Sequence, residues 1–296
     1  MSNSAHGITR MSNVGKSPDF PITTDSVGII AGNGSFPIRF ATEAKKQGLK
    51  VVAVCHVDET PREMEQIADV CEWIKVGELG KLIRCFKKHH VKEVAMAGGI
   101  NRIKLFGGVK LDARAAKMIF RIRSTKDDLV MRAISEELSK DGISTISCTV
   151  FLKESLMPQE VLTKRTPTEL EFKDIEVGMS AIKAMSNQHI GQLVVVREGV
   201  IVAVEAVEGT DATILRGGEL GGPGTVVVKF AKPDQDMRFD VPTIGQRTIE
   251  VMIKAKSSVL AVEAGRSLLL DEEATIALAN KHDISIVGCK PLVQTE

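Results

Sequence analysis

The chain has 296 residues, of which 43% are hydrophobic and 4% aromatic with no tyrosine, and its formal net charge is +1. At about 100 to 200 residues per domain, this length predicts two domains, each with its own apolar core. The near-neutral charge and the few aromatic side chains argue against nucleic acid as a partner, because nucleic-acid binding uses a basic surface and stacking platforms.

The amino-terminal segment and the cysteines indicate the cellular compartment. Residues 1–26 are polar and contain two prolines, and we expect a disordered leader there. No apolar run approaches the roughly 20 residues of a transmembrane helix. Five scattered cysteines without a CxxC motif fit reduced thiols in a cytoplasmic protein better than disulfides or a zinc site.

The first half alternates strand-like and helix-like segments, which predicts an α/β fold with a parallel, Rossmann-like sheet over residues 27–155. We expect strands at 27–31, 50–55, 71–76, 93–97 and 143–150, and helices ending near 47 and spanning 61–68, 79–89, 111–120 and 128–140.

Small-residue loops follow several of these strands, and ligands of parallel sheets bind outside the carboxyl ends of the strands. The candidate substrate-binding residues on these loops are Gly32, Asn33, Gly34, Gly99 and Asn101. Tight turns after strands also use glycine for purely structural reasons. The first loop lacks the third glycine of a dinucleotide fingerprint, and no acidic residue directly follows the strand at 50–55, which disfavours NAD.

A second candidate feature of this half is Lys126-Asp127-Asp128 at the start of a predicted helix. Either aspartate is a natural N-cap. A carboxylate pair beside a lysine is equally suited to contact a metal ion or a sugar, so Lys126 and Asp127 stay among the candidates.

A Pro-containing stretch over residues 156–173 predicts a linker, followed by a carboxy-terminal α/β domain over 174–296. This domain begins with a helix at 174–188 and continues with a hairpin formed by 192–197 and 200–205. His189 lies before the hairpin without a nucleophile nearby in a recognisable motif, and we interpret it as structural.

Charged residues concentrate at a strand-to-helix junction and in one loop of this domain. The junction carries Glu205, Glu208, Gly209, Thr210 and Asp211; Thr210 or Asp211 would cap the helix, whereas the glutamates would need cations or donors if buried. The loop over 229–248 crowds lysines, Arg238 and aspartates between prolines. Such a loop suits a phosphate ester, with cations holding phosphate oxygens and carboxylates holding a metal, although an ordinary surface loop has a similar composition.

Several motifs together resemble, in the same order, the LpxI family of UDP-2,3-diacylglucosamine pyrophosphatases. The motifs are IAGNGSFP (30–37), VGELGK (76–81), AGGINR (97–102), KDD (126–128), GQLVVVREGVIVAVEAVEGTDA (191–212), AKPDQDMRFDVPTIG (231–245) and VEAGRSLLLD (262–271). The resemblance covers the chain from Val27 to Val287.

The resemblance implies a cytoplasmic, Mg²⁺-dependent hydrolase of lipid A biosynthesis in Gram-negative bacteria. Such an enzyme splits UDP-2,3-diacylglucosamine with water into UMP and 2,3-diacylglucosamine 1-phosphate (lipid X), and its two domains close over the ligand. The functional aspartate of the family's RxDxP motif corresponds to Asp240. Peripheral contact with the inner membrane and a homodimer are both compatible with such an enzyme.

We therefore predict a site in the cleft between the domains. Asp240 would hold Mg²⁺ or orient water, Arg238 would neutralise phosphoryl oxygens, and Asp211 would assist. Glu205 is a second candidate metal ligand. The predicted substrate-binding residues of this half are Glu208, Gly209, Thr210, Lys232, Thr243 and Gly245. Two alternatives remain open: an NAD(P)-dependent oxidoreductase that uses the first glycine loop, and a non-catalytic nucleotide-binding protein.

Overall fold

The computed structural model describes residues 22–100, 109–122, 127–186, 190–232, 236–239 and 241–290. Within these ranges the chain forms an α/β fold with a five-stranded parallel sheet in the first half and a five-stranded mixed sheet in the second. The predicted fold class is confirmed. Within the described ranges, no helix is both long enough and apolar enough to cross a lipid bilayer.

The amino-terminal sheet has the strand order β3-β2-β1-β4-β5, which is the Rossmann-like order. Its strands are β1 (Ser26–Ala31), β2 (Lys50–His56), β3 (Val70–Ile74), β4 (Glu93–Ala97) and β5 (Ser144–Thr145). The helices are α1 (Phe36–Lys46), α2 (Met64–Ile67), α3 (Leu79–Lys88), α4 (Ala113–Ile122) and α5 (Asp127–Ser139).

Both faces of this sheet are buried, because helices cover each of them. Ile29 packs with Phe40 of α1 on one face, and its neighbour Ile30 packs with Phe86 of α3 on the other. Successive residues of a strand point to opposite faces, so the continuous apolar runs in the sequence supply both layers of the core.

The carboxy-terminal sheet has the order β12-β10-β8-β6-β7, with β6 antiparallel to both of its neighbours. Its strands are β6 (Leu193–Arg197), β7 (Val200–Val204), β8 (Val226–Lys229), β10 (Val259–Glu263) and β12 (Ser285–Cys289); a separate parallel pair is formed by β9 (Thr243–Ile244) and β11 (Leu268–Leu269). The helices are α6 (Glu169–Ser186), α7 (Thr210–Gly221), α8 (Gln246–Ala255) and α9 (Glu272–Lys281).

The segment predicted as a linker packs along the carboxy-terminal domain. Leu156 bridges to Leu268, and Val161 bridges to Val287. Helix α6 begins earlier than predicted, at Glu169, because Thr168 and Glu171 form a capping box: the Glu171 carboxylate accepts from the Thr168 N–H at 2.8 Å, and the Thr168 hydroxyl accepts from the Glu171 N–H at 3.3 Å.

Two further expectations are wrong at their edges. The predicted strand at 143–150 is only β5, because the backbone turns after Ile146 and the Cys148 N–H donates to the Arg238 carbonyl at 3.1 Å. The disordered leader was predicted to reach residue 26, yet Ile22 is buried in the core and Thr23 hydrogen-bonds the carboxylate of Glu93.

Residues of the second domain complete the core of the first. Phe239 is buried against the cluster under α3 and α5, whereas Val241 is buried against the cluster under α1. Leu268 and Leu270 join the same cluster as Val241. The two domains therefore share apolar contacts on both faces of the first sheet.

Candidate functional site

The glycine loops after β1 and β4 meet at the point where the strand order of the first sheet reverses. The Gly32 N–H donates to the Ala97 carbonyl and the Asn33 N–H to the Gly99 carbonyl, both at 2.8 Å. A Cβ at Gly32 would collide with the Gly99 carbonyl oxygen, so this glycine is required for the loops to approach. In contrast, a Cβ at Gly34 would meet nothing within 4 Å, and that position opens to solvent.

Several predicted site residues lie outside the part of the chain that the structure describes. These are Asn101, Lys126 and Asp240. Residues 233–235 of the charged loop and His189, which we interpret as structural, also lie outside the described part. Asp127 is the first residue of α5, and its side chain also lies outside the described part.

Glu205 directly follows β7, and its side chain contacts Thr210, the first residue of α7. Its side chain is buried, with Oε1 accepting from the Thr210 hydroxyl at 2.9 Å and Oε2 from the Gln192 N–H at 3.0 Å. Hydrogen bonds from the protein compensate the cost of burying the carboxylate. This arrangement fixes the junction before Gly209, whose φ of 82° begins the turn into α7.

The other acids of the junction pair with arginines. A Glu208 oxygen lies 2.7 Å from an Arg216 nitrogen. The pKa of Glu208 is held below its ordinary value, first by its own backbone N–H and then by Arg216. Asp211 pairs with Arg247 of α8 at 2.8 Å, which joins the amino-terminal turns of α7 and α8.

Buried cations gather at the ends of β8 and β10, which are adjacent strands. Lys229 and Lys232 are 6% and 8% exposed, and the Lys229 ammonium donates to the Thr243 carbonyl at 2.9 Å. Thr243 directs its own hydroxyl to the Val241 carbonyl, and Gly245 precedes the first turn of α8.

Glu263 and Arg266 hold the segment that carries Lys232, and sequence reasoning did not select either of them. Glu263 is fully buried; it accepts from the Ala231 N–H at 2.9 Å and faces an Arg266 nitrogen at 3.3 Å. Arg266 donates to the Lys232 carbonyl at 3.3 Å. The available signal was an acid and an arginine in the VEAGRS motif, directly after the apolar residues 259–262.

Arg238 lies at the surface beside the amino-terminal domain. Its guanidinium pairs with Asp236 at 2.8 Å and stacks over the Phe239 ring at 4.7 Å, while its side chain stays 51% exposed. The hydrogen bond from Arg238 holds the pKa of Asp236 below its ordinary value. Arg132 of α5 approaches the same carboxylate at 3.8 Å, so Asp236 links charged groups of both domains.

The described residues offer no ready-made metal cage. No group of three or more His, Cys, Asp or Glu side chains among them is arranged to hold a metal ion. Magnesium commonly uses only one or two carboxylates, with waters and substrate phosphates as its other ligands. Glu205 already accepts two hydrogen bonds from the protein, which makes it less suited to this role than an exposed carboxylate would be. The magnesium site stays a prediction.

Comparison with known sequences covers nearly the whole chain. Residues 26–155 match the family model of the LpxI N-terminal domain, and residues 158–287 match that of the LpxI C-terminal domain. A relative from Caulobacter vibrioides, UDP-2,3-diacylglucosamine pyrophosphatase LpxI, is 31% identical over 278 residues, which span 90% of this chain and 98% of the relative.

Solved structures show only remote likeness. The biotin carboxylase domain of the Hydrogenobacter thermophilus 2-oxoglutarate carboxylase is 13% identical with a TM-score of 0.28, and the match covers 62% of this chain and 38% of that one. CobK precorrin-6A reductase is 8% identical with a TM-score of 0.32, over 92% of this chain and 90% of that one. Likeness at this level supports no functional conclusion.

Proposed function

Since the chain belongs to the LpxI family, we propose that it hydrolyses the pyrophosphate bond of UDP-2,3-diacylglucosamine, releasing UMP and 2,3-diacylglucosamine 1-phosphate in lipid A biosynthesis. The observation that carries the proposal is the match of both family domains in their order, over residues 26–155 and 158–287. The similarity of a named pyrophosphatase along 90% of the chain supports the same reaction.

The cations at the ends of β8 and β10 suit this substrate. A pyrophosphate diester carries two negative charges that repel an attacking hydroxide, so a site for it needs fixed positive charge. Lys232 and Arg266 stand on neighbouring segments, and the Arg266–Lys232 hydrogen bond holds them together. In the proposed site these side chains, with Lys229, bind phosphoryl oxygens, and Glu263 keeps Arg266 in place.

Asp240 is the proposed catalytic aspartate, on the strength of the family's RxDxP motif. It stands in the sequence between Phe239 and Val241, which both pack against the amino-terminal domain. In the proposed reaction, Asp240 orients water or holds Mg²⁺, and Arg238 and Asp211 support it. Magnesium, when bound, would supply a Lewis acid that lowers the pKa of a bound water molecule.

The acyl chains of the substrate bear on the cellular location of the enzyme. We propose that the chain acts in the cytoplasm and meets the inner membrane peripherally, because its lipid-linked substrate resides there. Co-sedimentation with phospholipid vesicles tests the membrane contact. Light scattering after size exclusion tests the homodimer that the family resemblance allows.

The decisive experiment measures UMP release from UDP-2,3-diacylglucosamine by the wild-type protein with Mg²⁺ and with excess EDTA, and by Asp240→Ala. We expect EDTA and the substitution each to abolish most activity, with a barrier raised by several kcal/mol in the variant. Asp25→Ala, which alters an exposed aspartate in the described part of the chain, is the matched control and should keep full activity. Full activity in Asp240→Ala would overturn the proposed mechanism. Full activity in EDTA would show that the reaction does not need Mg²⁺.

A further inference from the structure

An acidic residue lies beside the first glycine loop, although no acidic residue directly follows the second strand in the sequence. Glu59 follows the end of β2 by three positions, and one of its carboxylate oxygens accepts a hydrogen bond from the Asn33 side-chain amide at 3.1 Å. In Rossmann-like sheets, an acid after the second strand hydrogen-bonds a ribose hydroxyl of the bound nucleotide. Glu59 therefore occupies the region of the fold where nucleotides bind.

The turn that carries Glu59 is fixed to the neighbouring strand by buried hydrogen bonds. The N–H groups of Glu59 and Thr60 both donate to the His56 carbonyl, at 3.1 and 3.0 Å. The Thr60 hydroxyl accepts from the His56 N–H at 2.9 Å and donates to the carbonyl of Ala31, the last residue of β1, at 2.6 Å. Because Thr60 and His56 are buried, this turn holds Glu59 at a defined position.

The surroundings of the carboxylate suit a neutral, hydroxyl-bearing group. Burial lowers the pKa of His56, whose Nδ1 lies 2.9 Å from the Ala31 carbonyl, so the imidazole is neutral at pH 7. A carboxylate repels phosphate but accepts hydrogen bonds from hydroxyl groups, and its two oxygens offer about four acceptor positions. Gly34 and Gly99 are exposed beside Asn33, which leaves the loop surface accessible.

We infer that Glu59 and Asn33 form the ribose-binding site for the UMP moiety of the substrate, with Glu59 accepting the 2′-hydroxyl. The identity of the nucleotide rests on the proposed function, whereas the ribose recognition rests on the geometry of the β1–β2 edge. Glu59 would then determine specificity for ribonucleotides without taking part in the chemical step.

The test compares UMP with 2′-deoxy-UMP as ligands of the full-length protein, by calorimetric titration, in the wild type, Glu59→Gln and Glu63→Gln. A hydrogen bond from a hydroxyl to a charged acceptor is worth enough to favour UMP by about tenfold or more in the wild type. Glu59→Gln keeps the side-chain shape and should reduce this preference to about twofold or less. Glu63, an exposed acid four positions further on, is the control, and its variant should keep the wild-type preference.

Three outcomes would overturn the inference. One is a wild-type protein that binds both nucleotides equally or binds neither. Another is a Glu59→Gln variant that weakens both ligands by the same factor, because Glu59 would then only shape the loop. The third is a wild-type protein that binds NADH tightly but not UMP, with NADH binding lost in Glu59→Gln. Failure of the proposed reaction would look different: a wild-type preference for UMP, lost in Glu59→Gln, without UMP release from UDP-2,3-diacylglucosamine.

Discussion

Replacing Glu263 by glutamine tests whether the buried charge at the end of β10 holds the second domain together. The Glu263 side chain has no exposed surface and lies 3.3 Å from Arg266, whose side chain is only 12% exposed. Glutamine keeps the size of the side chain and an acceptor for the Ala231 N–H but removes the negative charge. Breaking a buried pair from one side costs about 3 to 5 kcal/mol, because the remaining charge stays buried. We expect the free energy of unfolding to fall by about 3 kcal/mol.

Urea unfolding followed by circular dichroism measures this loss, and the fluorescence of Trp73, the single tryptophan, follows the first domain separately. Glu136→Gln is the control, since Glu136 pairs with Arg121 at 3.0 Å while 63% exposed, and its loss should stay below about 1 kcal/mol. Adding Arg266→Met to Glu263→Gln should recover part of the stability, because the double variant removes both charges of the Arg266–Glu263 pair. A loss in Glu263→Gln no larger than that in Glu136→Gln would refute the reasoning.

Two further predictions concern the first glycine loop and the Asp236–Arg238 pair. Gly32→Ala should lower the melting temperature more than Gly34→Ala, because a Cβ at Gly32 collides with the Gly99 carbonyl. A Cβ at Gly34 has open space, so alanine there is disfavoured only by the backbone φ of +81°. Equal losses of melting temperature would contradict this. The pKa of Asp236 is lowered in the folded state, so its pair with Arg238 stabilises the protein at a pH above the ordinary aspartate pKa. This stabilisation is lost as the pH falls through the lowered pKa of the folded state. The stability difference between wild type and Asp236→Asn, measured in urea at pH 6 and pH 3, should therefore shrink at the lower pH; an unchanged difference would contradict this.

The strand and helix pattern of the first domain was predictable because its periodicity is strong. Strands β1, β2 and β4 are largely apolar, buried runs, and the helices between strands have one apolar face. The predicted strand at 143–150 failed because the residues after β5 are apolar for a different reason. Cys148 and Leu152 are buried in the shared core, where their neighbours Val241 and Leu268 come from the second domain. Local sequence does not distinguish pairing in a sheet from packing against a distant segment.

The candidate site was predictable in part. The charged loop was expected between the domains, and the burial of Phe239 and Val241 against the first domain agrees with that expectation. Glu59 was not predicted because a turn separates it from the end of β2, whereas a ribose-binding acid is expected directly after the strand. Glu263 was missed as an anchor because a single acid after a strand has no sequence signature of burial.

The packing of Phe239 and Val241 into the first domain has a consequence for synthesis and folding. The amino-terminal sheet is complete in sequence at β5, yet both of its apolar layers are closed by side chains that the ribosome adds much later. Until Val241 has left the exit tunnel, the nascent first domain exposes apolar surface on each side of its sheet. Its folding is therefore coupled to the second half of the chain, and a fragment ending near residue 155 would lack the closing side chains.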